Sequence, residues 1–235
     1  GNPFDDWAVG EDELLIATSS GRVNYFKSNN IVDSSEYLRL HKDEGGFNLY
    51  RWGFGNASFT LWEHFEDTTK VRFLVGKAKL LDSFFESLKE NGYHTILTLF
   101  SFDIPFSNNP WQIEKKVLEN YIEYIVARYQ AYVDIWEIAN EAYVHEDVVN
   151  LIARKIKEQD LENRLITLSW ERPEYEEIDI VSPHWFETEP LSASDIRVSQ
   201  LVTKFKKFDK PIVIGEQGNA ERSWDETSAT RLRVR

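Results

Sequence analysis

The chain has 235 residues, with 40 acidic against 27 basic side chains, a formal net charge of −13 and no cysteine. That length can bury a sizeable core, while the acidity argues against nucleic acid or an anionic membrane surface as partner, since both attract clustered Lys and Arg. Without cysteine there is no disulfide, no thiolate metal site and no cysteine nucleophile.

No apolar run approaches the roughly 20 residues of a membrane span. No Pro/Gly/Ser-rich linker divides the chain, so one domain over residues 1–235 is expected. The sequence opens at Gly1 without a basic, apolar leader, which leaves secretion and cytoplasmic residence both open.

Residues 4–20 carry Trp7, Val9 and Leu14-Leu15-Ile16 among acids, which suits a short hairpin or a plug under a barrel. Arg22-Val23-Asn24-Tyr25-Phe26 follows a glycine and reads as a first strand. Ser34-Ser35-Glu36 can cap a short helix that runs to Lys42 and stops at Gly45-Gly46. Residues 47–52 read as a second strand with Arg51 near its tip.

Residues 74–91 place Leu80, Leu81, Phe84, Phe85 and Leu88 at helical spacing, and Gly92 supplies the stop. Residues 94–100 form a third strand. Pro110 opens the longest predicted helix, to about Tyr132, with Val117, Tyr121, Tyr124, Ile125 and Tyr129 on one stripe.

The fourth strand, Asp134-Ile135-Trp136-Glu137-Ile138-Ala139, ends abruptly on Asn140-Glu141. A strand buried on both faces reads as continuous hydrophobics, so polar groups at its C-terminal tip point to a site rather than to core. A helix over residues 146–159, a fifth strand over 164–170 and a sixth over 178–182 follow, the last leading into Pro183-His184-Trp185-Phe186. After a helix over 194–208, Pro211-Ile212-Val213-Ile214-Gly215-Glu216-Gln217-Gly218 repeats the pattern of an apolar run ending on a carboxylate. Residues 224–235 read as a final helix.

Strands alternating with helices predict a parallel sheet, either a closed barrel or an open doubly wound one. No glycine-rich phosphate fingerprint follows any strand. About seven β/α units are visible where a closed barrel needs eight, so the eighth strand and the C-terminal end are expected to be missing.

Trp136 to Glu141 resembles the W-E-x-x-N-E strand-four motif of clan A glycoside hydrolases, the retaining (β/α)8 enzymes that include family 5 cellulases and mannanases. Pro211 to Gly218 resembles their strand-seven motif P-x-x-x-G-E-x-G, and Arg51 and His184 stand where that clan carries a strand-two arginine and a strand-six histidine. Two positions depart from the pattern: Phe186 stands where a tyrosine is frequent, and the strand-eight tryptophan has no counterpart.

The resemblance implies a (β/α)8 TIM barrel and a retaining glycosidase of glucan or mannan type, with Glu141 as acid/base and Glu216 as nucleophile. The chemistry fits: two carboxyl groups about 5 to 5.5 Å apart supply both a proton for the leaving oxygen and an attack on the anomeric carbon. Partial burial and the charge of Glu216 would keep Glu141 protonated, and Arg51 would keep Glu216 ionised.

Asn140, Arg51, His184 and Trp185 are the expected substrate-binding residues. Each has a plainer reading: a strand-end turn for Asn140, a rim salt bridge for Arg51, a hydrogen-bonded core histidine for His184, and packing for Trp185. Glu137 reads as the buried partner of a basic group. Trp52, Trp170 and Trp185 lie at strand ends on the presumed active face, whereas Trp7 and Trp136 read as core.

The expected partner is an oligosaccharide or polysaccharide bound by a monomer, with no cofactor, metal, nucleic acid or membrane. Two alternatives remain: a non-catalytic sugar-binding barrel, and a barrel lyase or aldolase using Lys and phosphate.

Overall fold

A computed structural model describes residues 13–17, 23–27, 38–39, 42–43, 46–54, 61–63, 69–100, 113–185 and 194–217. In chain order the strands are β1 (Glu13–Ala17), β2 (Val23–Lys27), β3 (Leu49–Gly53), β4 (Trp62–Glu63), β5 (Arg72–Phe73), β6 (His94–Phe100), β7 (Ile135–Ala139), β8 (Leu165–Ser169), β9 (Ile180–Ser182), β10 (His184–Trp185) and β11 (Glu216–Gln217). The helices are α1 (Val75–Glu90), α2 (Lys115–Tyr129), α3 (Glu146–Gln159) and α4 (Ser194–Phe205).

The second to sixth predicted strands form a five-stranded sheet in the order β3-β6-β7-β8-β9, every pair parallel. Facing partners put their side chains on the same side of a sheet. The pairs Arg51 with Ile96, Thr98 with Glu137, Glu137 with Thr167, and Ser169 with Ser182 therefore put Arg51, Thr98, Glu137, Thr167, Ser169 and Ser182 on one face, beside Ile96 and Ile180.

The opposite face carries Trp52, Leu97, Leu99, Trp136, Ile138, Ile166 and Leu168, which join the main core with Phe84 and Phe85 of α1, Ile122 and Ile125 of α2 and Ile152 of α3. Each such side chain contributes about 1.5 to 3 kcal/mol when fully buried. The helix-facing side stabilises the sheet, and the other side is left to carry polar groups.

The helices follow from their spacing. α2 buries Val117, Leu118, Tyr121, Ile122, Ile125, Val126 and Tyr129, a stripe repeating every three to four residues. α1 stops where Gly92 takes φ +70°, and the amide of Tyr93 reaches back to the carbonyl of Leu88 at 3.0 Å.

The first predicted strand exists as β2, but it pairs antiparallel with β1. Only the five residues 18–22 separate the two arms, too few for the crossover that a parallel pair requires. The hairpin expected in the N-terminal piece thus uses the first predicted strand as its second arm, and it lies against α1.

The sixth predicted strand, over 178–182, is β9; it ends before Pro183, which has no N–H to give to a ladder, and the short strand β10 follows. The seventh continues the sheet beyond β9. Ile212 bridges to Val181, the amide of Gly215 donates to the carbonyl of Pro183 at 3.1 Å, and β10 pairs in parallel with β11, His184 facing Glu216. Among the described residues the sheet stays open. The expected helices over 34–42 and 224–235 lie wholly or largely outside the described residues, as do Phe186, Trp7 and the position of an eighth strand.

Candidate active site

The tip of β7 is built by a tight turn. Glu141 takes φ +48°, a left-handed conformation that costs a residue with a Cβ on the order of 1 kcal/mol or more. The Ser169 hydroxyl holds the turn: it accepts the Glu141 amide at 2.9 Å and donates to the carbonyl of Ala139 at 2.9 Å. The turn sets the Glu141 carboxylate over the C-terminal ends of the strands, half-buried.

Glu216 arrives from the neighbouring edge, and a glycine makes its approach possible. A Cβ on Gly215 would collide with the Ser182 hydroxyl and lie 2.6 Å from His184 Nε2. Only hydrogen in that position lets the strand close against His184 and deliver the next side chain.

Arg51 ties the pieces together. Its Nε donates to Glu137 at 2.6 Å, its Nη2 donates to Glu137 at 3.0 Å and to Asn140 Oδ1 at 2.6 Å, and its Nη1 donates to Glu216. Burial works against the guanidinium charge, but the facing carboxylates of Glu137 and Glu216 outweigh it and raise its pKa further. Asn140 is 2% exposed; with Oδ1 taken by Arg51, its buried Nδ2 has no partner among the described residues.

His184 Nδ1 stands 3.2 Å from Glu141 Oε1 and 3.6 Å from Glu216 Oε1. Burial, reinforced by the Arg51 charge, pushes its pKa down to about 3, so the imidazole is neutral at working pH. Burial also raises the pKa of Glu141, and the negative charges of Glu216 and Glu137 add to this against the opposing pull of Arg51. One carboxyl is thus biased to hold a proton, while the other is paired with a guanidinium.

Glu141, His184 and Glu216 each offer one ligand atom within 4.8 Å of the others, the one metal-capable grouping among the described residues. The Glu216 oxygen that faces the imidazole is the one Arg51 already engages. A cation there would compete with a guanidinium.

Five of the six residues expected at the site converge: Glu141, Glu216, Asn140, Arg51 and His184. Trp185 lies in β10 opposite Gln217. Trp136 is core as expected, its Nε1 donating to Asp160 at 3.0 Å. Trp52 is not on the active face but buried against Phe84, because it falls one residue away from Arg51 and so points to the other side of the strand.

At the rim, Trp170 (φ +62°) is half exposed after β8, and Arg172 lies 5.5 Å from the ring centre of exposed Tyr143. Ser169 and Thr98 were not singled out from sequence. Their only signal is a hydroxyl inside an otherwise apolar strand.

No protein-family model matches the sequence, and no curated protein matches it. Solved structures do match its fold. The endo-1,4-β-D-mannanase of Thermotoga petrophila is 15% identical, aligns over 89% of this chain and 81% of its own, and gives a TM-score of 0.63. A family 113 β-1,4-mannanase is 15% identical over 79% of this chain, with a TM-score of 0.56. A family 5 glycoside hydrolase from Bacteroides vulgatus is 17% identical over 86% of this chain, with a TM-score of 0.55. The chain spans 65% of the length of the family 113 protein and 53% of the Bacteroides one, under two thirds of each. The fold is that of the (β/α)8 glycoside hydrolases.

Proposed function

We propose that the protein is a retaining glycoside hydrolase that cleaves β-linked glucan- or mannan-type substrates by double displacement. The observation that carries this reading is the cluster itself: one carboxylate oxygen of Glu141 and one of Glu216 lie within 4.8 Å across His184. That separation fits direct attack by a carboxylate, whereas an inverting pair needs about 6.5 to 9.5 Å to admit a water.

In the first step Glu216 attacks the anomeric carbon while Glu141 gives its proton to the departing oxygen. Bond formation removes the negative charge of Glu216, so the influence holding a proton on Glu141 weakens and Glu141 can take one from the incoming water. His184, held neutral by burial, faces both carboxylates without adding charge. The Asn140 Nδ2, which has no partner among the described residues, is the donor assigned to a sugar hydroxyl. Structural neighbours that are β-1,4-mannanases support the substrate class, and the net charge of −13 suits a neutral polysaccharide.

No helix among the described residues is long and apolar enough to cross a membrane.

Replacing Glu216 by Ala should lower hydrolysis of aryl β-glycosides by roughly 10⁴- to 10⁶-fold, the scale seen when a nucleophile is removed from a catalytic unit. Added azide should restore part of the rate and yield a glycosyl azide. A non-catalytic sugar-binding barrel would show no turnover to lose, and that result would contradict the proposal.

A further inference from the structure

We propose that Glu137 is a positioning residue: its carboxylate holds the Arg51 guanidinium in the one orientation that serves Asn140 and Glu216 together. The inference rests on the glycosidase reading above and extends it to Glu137, which is buried and has both carboxylate oxygens already engaged by Arg51 and Thr98.

A guanidinium has five N–H donors fixed in one plane. Here four are committed in three directions: Nε and one Nη2 hydrogen to the two oxygens of Glu137, the other Nη2 hydrogen to Asn140 Oδ1, and one Nη1 hydrogen to Glu216. The bidentate contact fixes the rotation of the plane, and with the plane fixed the other two contacts follow. Glu137 is in turn anchored by the Thr98 hydroxyl, which faces it from β6.

A purely stabilising role does not account for the arrangement. Burying a carboxylate and a guanidinium costs several kcal/mol per ion, and well-packed apolar residues of similar volume often do as well or better. What an apolar pair could not do is aim an arginine at two further groups. Through Arg51, Glu137 sets which way the Asn140 amide faces and where the Glu216 carboxylate rests.

Glu137 also belongs to the electrostatic surroundings of Glu141. The charged and titratable groups facing Glu141 are Glu216 from β11, His184 from β10, Arg51 from β3 and Glu137 from its own strand. Three carboxylates therefore share one guanidinium and a neutral imidazole. The negative charge of Glu137 is one of the influences that keep a proton on Glu141, and it also occupies part of an arginine that would otherwise act in the opposite direction.

The test compares wild type, Glu137→Gln and Glu137→Asp on 4-nitrophenyl β-glycosides of glucose, mannose and their β-1,4 disaccharides, with kcat and KM measured across pH and melting temperature recorded. Gln keeps the shape and removes the charge. Its kcat should fall about 10- to 100-fold, the usual cost of losing a group that orients an active residue, with little change in KM. The alkaline limb of its rate profile should move to lower pH, because Glu141 gives up its proton more readily. Asp keeps the charge but not the reach, so its kcat should fall while the limb stays in place.

Wild-type kcat in either variant would overturn the proposal, as would a Gln variant whose alkaline limb does not move. Should the Gln variant fail to fold, the Asp variant still decides through its kcat. Wild type that turns over none of these substrates would sink the glycosidase reading and this inference with it, whereas retained stereochemistry in wild type with unaffected variants would sink this inference alone.

Discussion

Glu141 and Glu216 share a residue type and each offers an oxygen within 4.8 Å of the other, yet their surroundings differ in the way the opposite tasks proposed for them require. Burial and the nearby negative charges raise the pKa of Glu141, so its protonated form, the one a general acid needs, persists to higher pH than for an ordinary glutamate. The alkaline limb of kcat/KM should therefore lie at higher pH than an ordinary glutamate would give and disappear in Glu141→Gln. That variant should lose about 10²- to 10⁴-fold on substrates with poor leaving groups, and much less on substrates whose departing phenol needs no proton. Equal losses on both would mean that Glu141 is not the acid. Both carboxylates were legible in the sequence, because each closes an apolar run. Ser169 was not, since nothing in a linear pattern says that a hydroxyl on one strand will hold the turn of the next.

The strand carrying Glu216 is the element most exposed to a small change. Gly215 lies where a methyl group would press on Ser182 and His184, so Gly215→Ala should displace β11 by a fraction of an ångström or more. Misplacing a reacting group by about 1 Å can cost roughly 100-fold in rate. The expected result is a folded variant, by circular dichroism, with kcat reduced on that scale; wild-type kcat would show that the close approach does not matter. Periodicity located elements well: the predicted strand over 94–100 and helix over 146–159 match β6 and α3 in their bounds. It did not show that β2 would turn back on β1, nor that a further short strand, β10, would follow Pro183 and pair with β11, because pairing is decided by partners and chain length between them. Trp52 was misplaced for a related reason: a step of one residue along a strand exchanges its faces.

Among the described residues, the proposed site and a buried stabilising carboxylate lie at opposite ends of the sheet. At the end where strands begin, buried Asp160 accepts the Trp136 indole N–H, the backbone amides of Glu162 and Arg164, and the Arg164 guanidinium. Burial opposes its charge, but these donors prevail and lower its pKa below the ordinary value. A depressed carboxylate stabilises the fold above its unfolded-state pKa, and that contribution is lost as pH falls through the folded-state value. Asp160→Asn should therefore cost about 1 to 3 kcal/mol at neutral pH, shrinking toward zero in strong acid, with unchanged kcat per folded molecule; an equal cost at all pH values would contradict the assignment. The nucleophile role proposed for Glu216 can be tested directly with a 2-deoxy-2-fluoro β-glycoside bearing a good leaving group, which slows breakdown of a glycosyl-enzyme more than its formation. Mass spectrometry of the intact protein should show one added glycosyl unit, and digestion should place it on the peptide containing Glu216. An active wild-type enzyme that forms no adduct, or carries it on another residue, would contradict double displacement by Glu216.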